Sequence, residues 1–166
     1  MSLPIRKIPA AVVLADLSNT QHAQAVVDLL DGYARDLLGG GRPLSADVRK
    51  RLIPGLQSQP GGRYFLAFRS ETPVGVAICF SGFSTFQARP LLNIHDLAVR
   101  PESRGQGIGR KLLAAVEEEA RRLGCCKLTL EVRADNPARR LYVDFGFDPG
   151  SPDSTAMSFL TKDLSR

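Results

Sequence analysis

The stretch Leu91–Leu123, LLNIHDLAVRPESRGQGIGRKLLAAVEEEARRL, decides how the chain is read. It divides into a strand, a short loop and a long helix. Leu91–Val99 is apolar and β-branched enough for a buried strand. Pro101 has no N–H to give a ladder, so the strand is expected to stop near Arg100. Gly105, Gly107 and Gly109 then alternate with Gln106 and Ile108, a spacing that lets backbone approach a ligand closely. Beyond them Leu112, Leu113, Val116, Ala120 and Leu123 recur at helical spacing, with Glu117, Glu118, Arg121 and Arg122 on the opposite face. Gly124 stands where a left-handed helix cap belongs.

Such a loop turns several unpaired N–H groups and the positive end of a helix dipole toward one point. That is an anion site, and pyrophosphate suits it. Arg104 and Arg110 flank it with two cations. A P-loop would need Gly-Lys-Ser/Thr after its second glycine, and the chain has Gly-Ile-Gly instead. A dinucleotide fingerprint counted from Gly105 ends on Arg110 rather than glycine, so that pattern fails as well. What fits is Arg104-x-x-Gly107-x-Gly109, which resembles the [RQ]-x-x-G-x-[GA] pyrophosphate loop of the GNAT superfamily of N-acetyltransferases.

The resemblance extends over roughly Leu91–Phe147. The strand IHDLAV is similar to the family's fourth strand. Asn136-Pro-Ala-Arg-Arg-Leu-Tyr142-Val-Asp-Phe-Gly146-Phe147 resembles its N-x-x-A-x-x-[LF]-Y-x-x-x-G-F signature, with the small residue one position early at Ala138. The resemblance implies a single domain over residues 1–166, α/β, with a mixed, mostly antiparallel sheet and helices on both faces. It implies acetyl-CoA as cosubstrate, held by Arg104, Gly105, Gln106, Gly107, Ile108, Gly109, Arg110 and Asn136. It also implies that backbone groups of Leu97, Ala98 and Val99 pair with the pantetheine arm like an added strand. The expected activity is transfer of the acetyl group to a primary amine, a small molecule being favoured, by direct attack. A peptide or protein N-terminus is the alternative acceptor, and a non-catalytic acyl-CoA-binding module the alternative class.

Two side chains are assigned chemistry. Tyr142 is the candidate partner of the leaving thiolate: a phenol of pKa ~10 does not fully protonate a thiolate of pKa ~8.5 at rest, but it hydrogen-bonds to one. His95 is the candidate base, with an unperturbed pKa of ~6.5. Related small-amine acetyltransferases often carry glutamate at the position matching His95 or Asn93, and this chain has none at either. Strand alternation places Asn93, His95, Leu97 and Val99 on one face, and Asp96 and Ala98 on the other. Asp96 is read as holding backbone or a loop in place.

Composition agrees with a globular chain: 166 residues, 43 % hydrophobic and 23 % charged. The net charge of +5 suits an anionic ligand such as coenzyme A. No Lys/Arg run exceeds three residues and the signs are interspersed, which argues against nucleic acid. Cys79, Cys125 and Cys126 have no disulfide or metal-ligand spacing, so no metal is expected and a reduced, cytoplasmic setting is. No run has the length of a signal or a membrane span, so no membrane partner is expected, and a homodimer is common among proteins of this type.

The remaining elements follow from periodicity and punctuation. Ala10–Asp16 is a first strand. Ser18–Gln21 reads as a capping box before a helix whose buried stripe is Val26, Leu30, Tyr33 and Leu37, ended by Gly39–Gly41. Ser45 or Asp47 caps a second helix to about Leu52, broken by Pro54 and Gly55. Tyr64–Arg69, Pro73–Phe83, Leu128–Val132 and Ser154–Leu160 read as strands, and Asn136 caps a short helix with Pro137 at its first position. Glu117–Glu119 reads as a solvated face with Glu117–Arg121 and Glu118–Arg122 pairs.

Overall fold

The computed structural model describes residues 9–149 and 157–164. One sheet holds β1 (Ala11–Leu14), β2 (Gly62–Arg69), β3 (Thr72–Ser84), β4 (Arg89–Val99), β5 (Lys127–Arg133) and β6 (Met157–Asp163), lying in chain order. Every neighbouring pair is antiparallel except β4 and β5, between which α3 (Ile108–Arg122) makes the crossover that a parallel pair requires. The helices α1 (Thr20–Arg35) and α2 (Ala46–Gln57) pack on one face, α3 and α4 (Ala138–Phe145) on the other. The expected α/β architecture, a mixed and mostly antiparallel sheet with helices on both faces, is the one observed.

Alternation along the central strands feeds two cores. Phe65 and Ala67 of β2 join Leu112, Leu113 and Val116 of α3, while Tyr64 and Leu66 join Val26 and Leu29 of α1. Gly75 is required for this packing: a Cβ there would stand 3.1 Å from Leu112 Cδ1 and 3.2 Å from the Ala98 carbonyl oxygen.

Several sequence expectations need correction. Asn19 caps α1, its side-chain oxygen accepting from the Gln21 and His22 N–H groups, whereas the Ser18 hydroxyl donates to Asp16. The helix ends at Arg35, before the glycines, so Leu37 lies beyond it and is 90 % exposed rather than on a buried stripe. Ser45 does cap α2, but that helix continues through Pro54 to Gln57. In the final turn proline forfeits one N–H bond, and its own carbonyl still accepts from Ser58. Glu119 is buried, not solvated, and accepts from Arg63 and Arg122; this i,i+3 pair replaces the expected Glu118–Arg122 pair. Glu117 bonds Arg121 as expected and Lys162 of β6 besides. Of the expected last strand, residues 154–156 lie outside the described residues.

The feature that positions the site is in β4. Its register with β3 runs Cys79↔Ile94 and then Ile78↔Asp96, so His95 is an extra residue, a β-bulge. The bulge inverts the alternation. Ile94 before it and Leu97 and Val99 after it all pack toward α3, while Ala98 joins the α1 side. The expected grouping of Asn93 and His95 with Leu97 and Val99 is therefore wrong. At the same point β4 parts from β5. The parallel rungs are Leu92↔Leu128, Asn93↔Thr129 and Ile94↔Leu130, and none follows although β4 runs on to Val99 and β5 to Arg133. Each strand stays bonded on its outer side, Val99 opposite Gly75 and Arg133 opposite Met157. Two strand edges thus diverge with unspent backbone hydrogen-bonding groups between them.

Candidate active site

A cleft of about 450 Å³ opens between the diverging strands. The loop after β4, the first turn of α3, α4 and the end of α1 complete its walls. His95, Leu97, Ala98, Val99, Arg104, Gly105, Gly107, Ile108, Gly109, Arg110, Asn136 and Tyr142 all line it, so nearly every residue singled out in the sequence meets here. Gln106 does not: its side chain accepts from Arg69 and donates to the Glu102 carbonyl, away from the cleft.

The phosphate end is built from backbone. Gly107 caps α3 with φ of 77°, Gly105 has φ of 69°, and a Cβ at either would meet no atom within 4 Å. No side chain caps α3, so its first N–H groups face the cleft without an intrahelical partner. Gly109 serves another purpose: a Cβ there would lie 2.8 Å from Leu141 Cδ2, so this glycine lets α3 approach α4. The Nε of Arg104 donates to the Val99 carbonyl at 3.0 Å and its Nη2 to Asp36 Oδ2 at 2.7 Å. Three of its five N–H donors remain for an anion. Arg110 lies 5.4 Å over the Phe145 ring and reaches the Asp144 carbonyl at 3.4 Å. Uncapped helix terminus, open glycine positions and two arginines match what a pyrophosphate needs.

Asn136 accepts from the Ala138 N–H at 2.9 Å, and Pro137 already has helical angles, so the expected cap is in place at the head of α4. One turn on, Tyr142 is 7 % exposed and packs edge-on against Phe147 at 6.0 Å. Its hydroxyl lies at the cleft yet makes no hydrogen bond among the described residues. Burial pushes its pKa up to about 12, with the Tyr33 phenol adding to the shift. His95 is exposed at the bulge, its ring edge-on to Phe80 at 5.6 Å.

Sequence reasoning missed five polar groups on the cleft: Tyr33, Asp36, Asp96, Ser103 and Glu131. Asp96 is half-buried, and burial raises its carboxyl against the opposing pull of His95. Burial also raises Tyr33, helped by Asp96 and Asp36, whereas the Arg104 hydrogen bond holds Asp36 below the usual carboxylate range. Glu131 follows from the alternation of β5, since Leu130 and Val132 face α3. Asp96 could not be placed without knowing of the bulge. Among the described residues no group of three or more His, Cys, Asp or Glu is placed to hold a metal ion, and no helix is long and apolar enough to cross a membrane.

All three tyrosines, Tyr33, Tyr64 and Tyr142, are raised by burial, which fixes an alkaline stability loss. Above about pH 10 the unfolded chain gives up phenolic protons that the folded chain keeps. The unfolded state then binds fewer protons, so unfolding free energy falls with pH; Tyr142 alone contributes roughly 2–3 kcal/mol of loss by pH ~12. Urea midpoints taken across this window are expected to fall steadily, and a flat midpoint would contradict the burial of these rings.

Residues 23–147 match the model of the acetyltransferase (GNAT) family. A thialysine N-epsilon-acetyltransferase of Bos taurus is 41 % identical over 59 residues, 36 % of this chain and 34 % of that one. An aminoalkylphosphonate N-acetyltransferase of Salmonella typhimurium is 36 % identical over 90 residues, 53 % of this chain and 58 % of the other. The chain thus spans less than two thirds of the length of either curated relative. The fold also matches the PaiA N-acetyltransferase of Thermoplasma acidophilum, solved with coenzyme A, at a TM-score of 0.70 and 15 % identity over 93 % of this chain and 99 % of that one.

Proposed function

The chain belongs to the GNAT acetyltransferase family, and from that premise we propose that it transfers the acetyl group of acetyl-CoA to the nitrogen of a small primary amine. The observation that carries the reading is the parting of β4 from β5 after Ile94 and Leu130, opening directly onto the uncapped N-terminus of α3. Acetyl-CoA supplies an activated thioester; this chain's residues hold, orient and exchange protons around it. The N–H groups at the start of α3, with Arg104 and Arg110, take the pyrophosphate. The free edge of β4 from Leu97 to Val99 pairs with the pantetheine arm, which also aims the thioester carbonyl at backbone N–H. Asn136 holds the head of α4 and so sets the place of Tyr142.

Transfer forms a C–N bond and breaks a C–S bond. The ammonium proton goes to His95, the freed lone pair attacks the carbonyl carbon, the sulfur leaves as thiolate, hydrogen-bonded by the Tyr142 hydroxyl, and the acylated nitrogen gives its remaining extra proton to water to leave a neutral amide. Thiol release from acetyl-CoA over a panel of small amines and peptide N-termini tests the activity. Coenzyme binding without release for any acceptor would replace the enzyme by a binding module.

The base assignment has its own test. If the His95 imidazole takes the proton, kcat/KM has an ascending limb with pH that depends on this side chain. His95→Ala and His95→Gln both remove that limb while the KM for acetyl-CoA stays unchanged. If water deprotonates the amine instead, the three pH–rate profiles superimpose and only the acceptor KM changes.

A further inference from the structure

The two faces of the cleft differ in chemistry. Toward α3 and α4 it presents Leu97, Val99, Leu130, Val132 and Leu141, with Tyr142 among them. Toward α1 lie Asp96 on β4, Glu131 on β5, and Asp36 with Tyr33 at the helix end. This acidic face sits in a chain of net charge +5.

The carboxylates there are not equivalent. Asp36 is satisfied by Arg104. Asp96 and Glu131 accept no hydrogen bond and join no ion pair within the described residues. Elsewhere the chain pairs its withdrawn carboxylates with cations: Asp31 with Arg35 and Arg49, Glu117 with Arg121 and Lys162, Glu119 with Arg63 and Arg122. A half-buried carboxylate without a cation is costly, and Asp96 is the exception to the chain's own rule. A second observation lies where the two faces meet: the Tyr142 side chain packs with the apolar face and is 7 % exposed, yet its phenol stands near enough to Tyr33 of the α1 side to be raised by it and makes no hydrogen bond among the described residues.

The positions of the two acids set the chemistry of what enters. The last β4–β5 rung is Ile94↔Leu130, so Asp96 and Glu131 stand two residues and one residue beyond it, on opposite banks of the gap. Strands are ~4.8 Å apart where pairing ends and wider beyond. One ammonium satisfies one bank only. We propose that the acceptor is a short α,ω-diamine, or an amine with a second cationic group at that reach, one ammonium received by Asp96 and the other by Glu131. The proposal rests on the acetyltransferase reading and names its substrate class. Burial raises the Asp96 carboxyl, and a cation beside it relieves that penalty. The groups that act on Asp96 are His95 on its own strand, Cys79 on β3 and Tyr33 on the α1 side; Asp36 and Arg104 line the same cleft but are paired with each other, so among the described residues only His95 pulls against the burial of Asp96. The same face disfavours amines that carry an anion, such as an aminoalkylphosphonate.

The test compares kcat/KM of the full chain, at saturating acetyl-CoA, for 1,3-diaminopropane to 1,5-diaminopentane, n-butylamine, 3-aminopropylphosphonate and a peptide N-terminus. The best diamine is expected about 2- to 5-fold above n-butylamine, the scale of an ion pair to an exposed carboxylate such as Glu131, and the phosphonate lowest. Glu131→Gln should collapse the diamine-to-butylamine ratio toward one. Asp96→Asn should lower kcat/KM for every amine, yet keep the acetyl-CoA thermal shift and equal or exceed the wild-type Tm, since it removes an unpaired carboxylate. Equal rates with diamine and butylamine, a ratio untouched by Glu131→Gln, or preference for the phosphonate or the peptide overturns this inference and leaves the transferase intact. Absence of thiol release with every amine tried, while coenzyme still binds, overturns both.

Discussion

Gly107→Glu is expected to abolish the thermal stabilisation that acetyl-CoA gives the wild-type chain. At a hundredfold excess over Kd a ligand of the native state adds ~2.7 kcal/mol, which for a chain of this size raises Tm by roughly 5–10 °C. The variant loses all of it for two reasons. Its carboxylate projects where a Cβ now meets nothing within 4 Å, the space at the uncapped terminus of α3 that an anion must occupy. The positive end of that helix then holds an internal carboxylate instead of a phosphate. A left-handed φ of 77° also costs any L residue ~1–2 kcal/mol, so the unliganded Tm falls somewhat. Gly107→Ala separates the two effects: it bears the backbone cost without the charge and keeps part of the shift. Circular dichroism is the check that Gly107→Glu folds, and a wild-type shift in the folded variant would place the pyrophosphate elsewhere.

That this loop could be found from sequence at all has a physical reason. Its proposed role is written in residue types that have few other uses at such spacing: glycines where φ is positive, no capping side chain, arginines alongside. The α4 signature is legible for the same reason, since Asn136, Pro137 and Gly146 do the local work of starting and stopping a helix. The acceptor side was not legible. It depends on one extra residue in β4, and nothing in LLNIHDLAV announces that His95 interrupts the pairing with β3. Without the bulge, alternation assigns Asp96 to a structural task; with it, Asp96 and His95 come together at the mouth of the strand gap. Helix ends failed more mildly. Leu37 has the spacing of a buried stripe, but Asp36 turns out of the helix to meet Arg104, a contact 68 residues away in sequence that no local pattern encodes.

Tyr142→Phe is expected to lower kcat by roughly 10- to 1000-fold, the range for loss of one general-acid or oxyanion-type contact, with coenzyme binding intact. The structure makes this a clean substitution. The hydroxyl has no partner within the described residues, so its removal strands no buried donor or acceptor, and the ring keeps its edge-on packing on Phe147. Tm and the acetyl-CoA shift should therefore match the wild type. The raised pKa decides which form of help the phenol gives. At about 12 it lies about three and a half units above the ~8.5 of a thiol, so a full proton transfer to the leaving sulfur is uphill by roughly three thousandfold, and a hydrogen bond to the developing thiolate is the favoured role. Neither the kcat loss nor the wild-type rate should then show a titration of this group below pH 10. Thioesters with leaving thiols of lower pKa need less stabilisation of the sulfur, so the penalty in Tyr142→Phe shrinks with them. Tyr33→Phe, which alters the other phenol on the cleft, should not reproduce that leaving-group dependence. A kcat equal to wild type with chemistry rate-limiting, or a penalty indifferent to the leaving thiol, would leave Tyr142 as a packing residue whose hydroxyl happens to face the cleft.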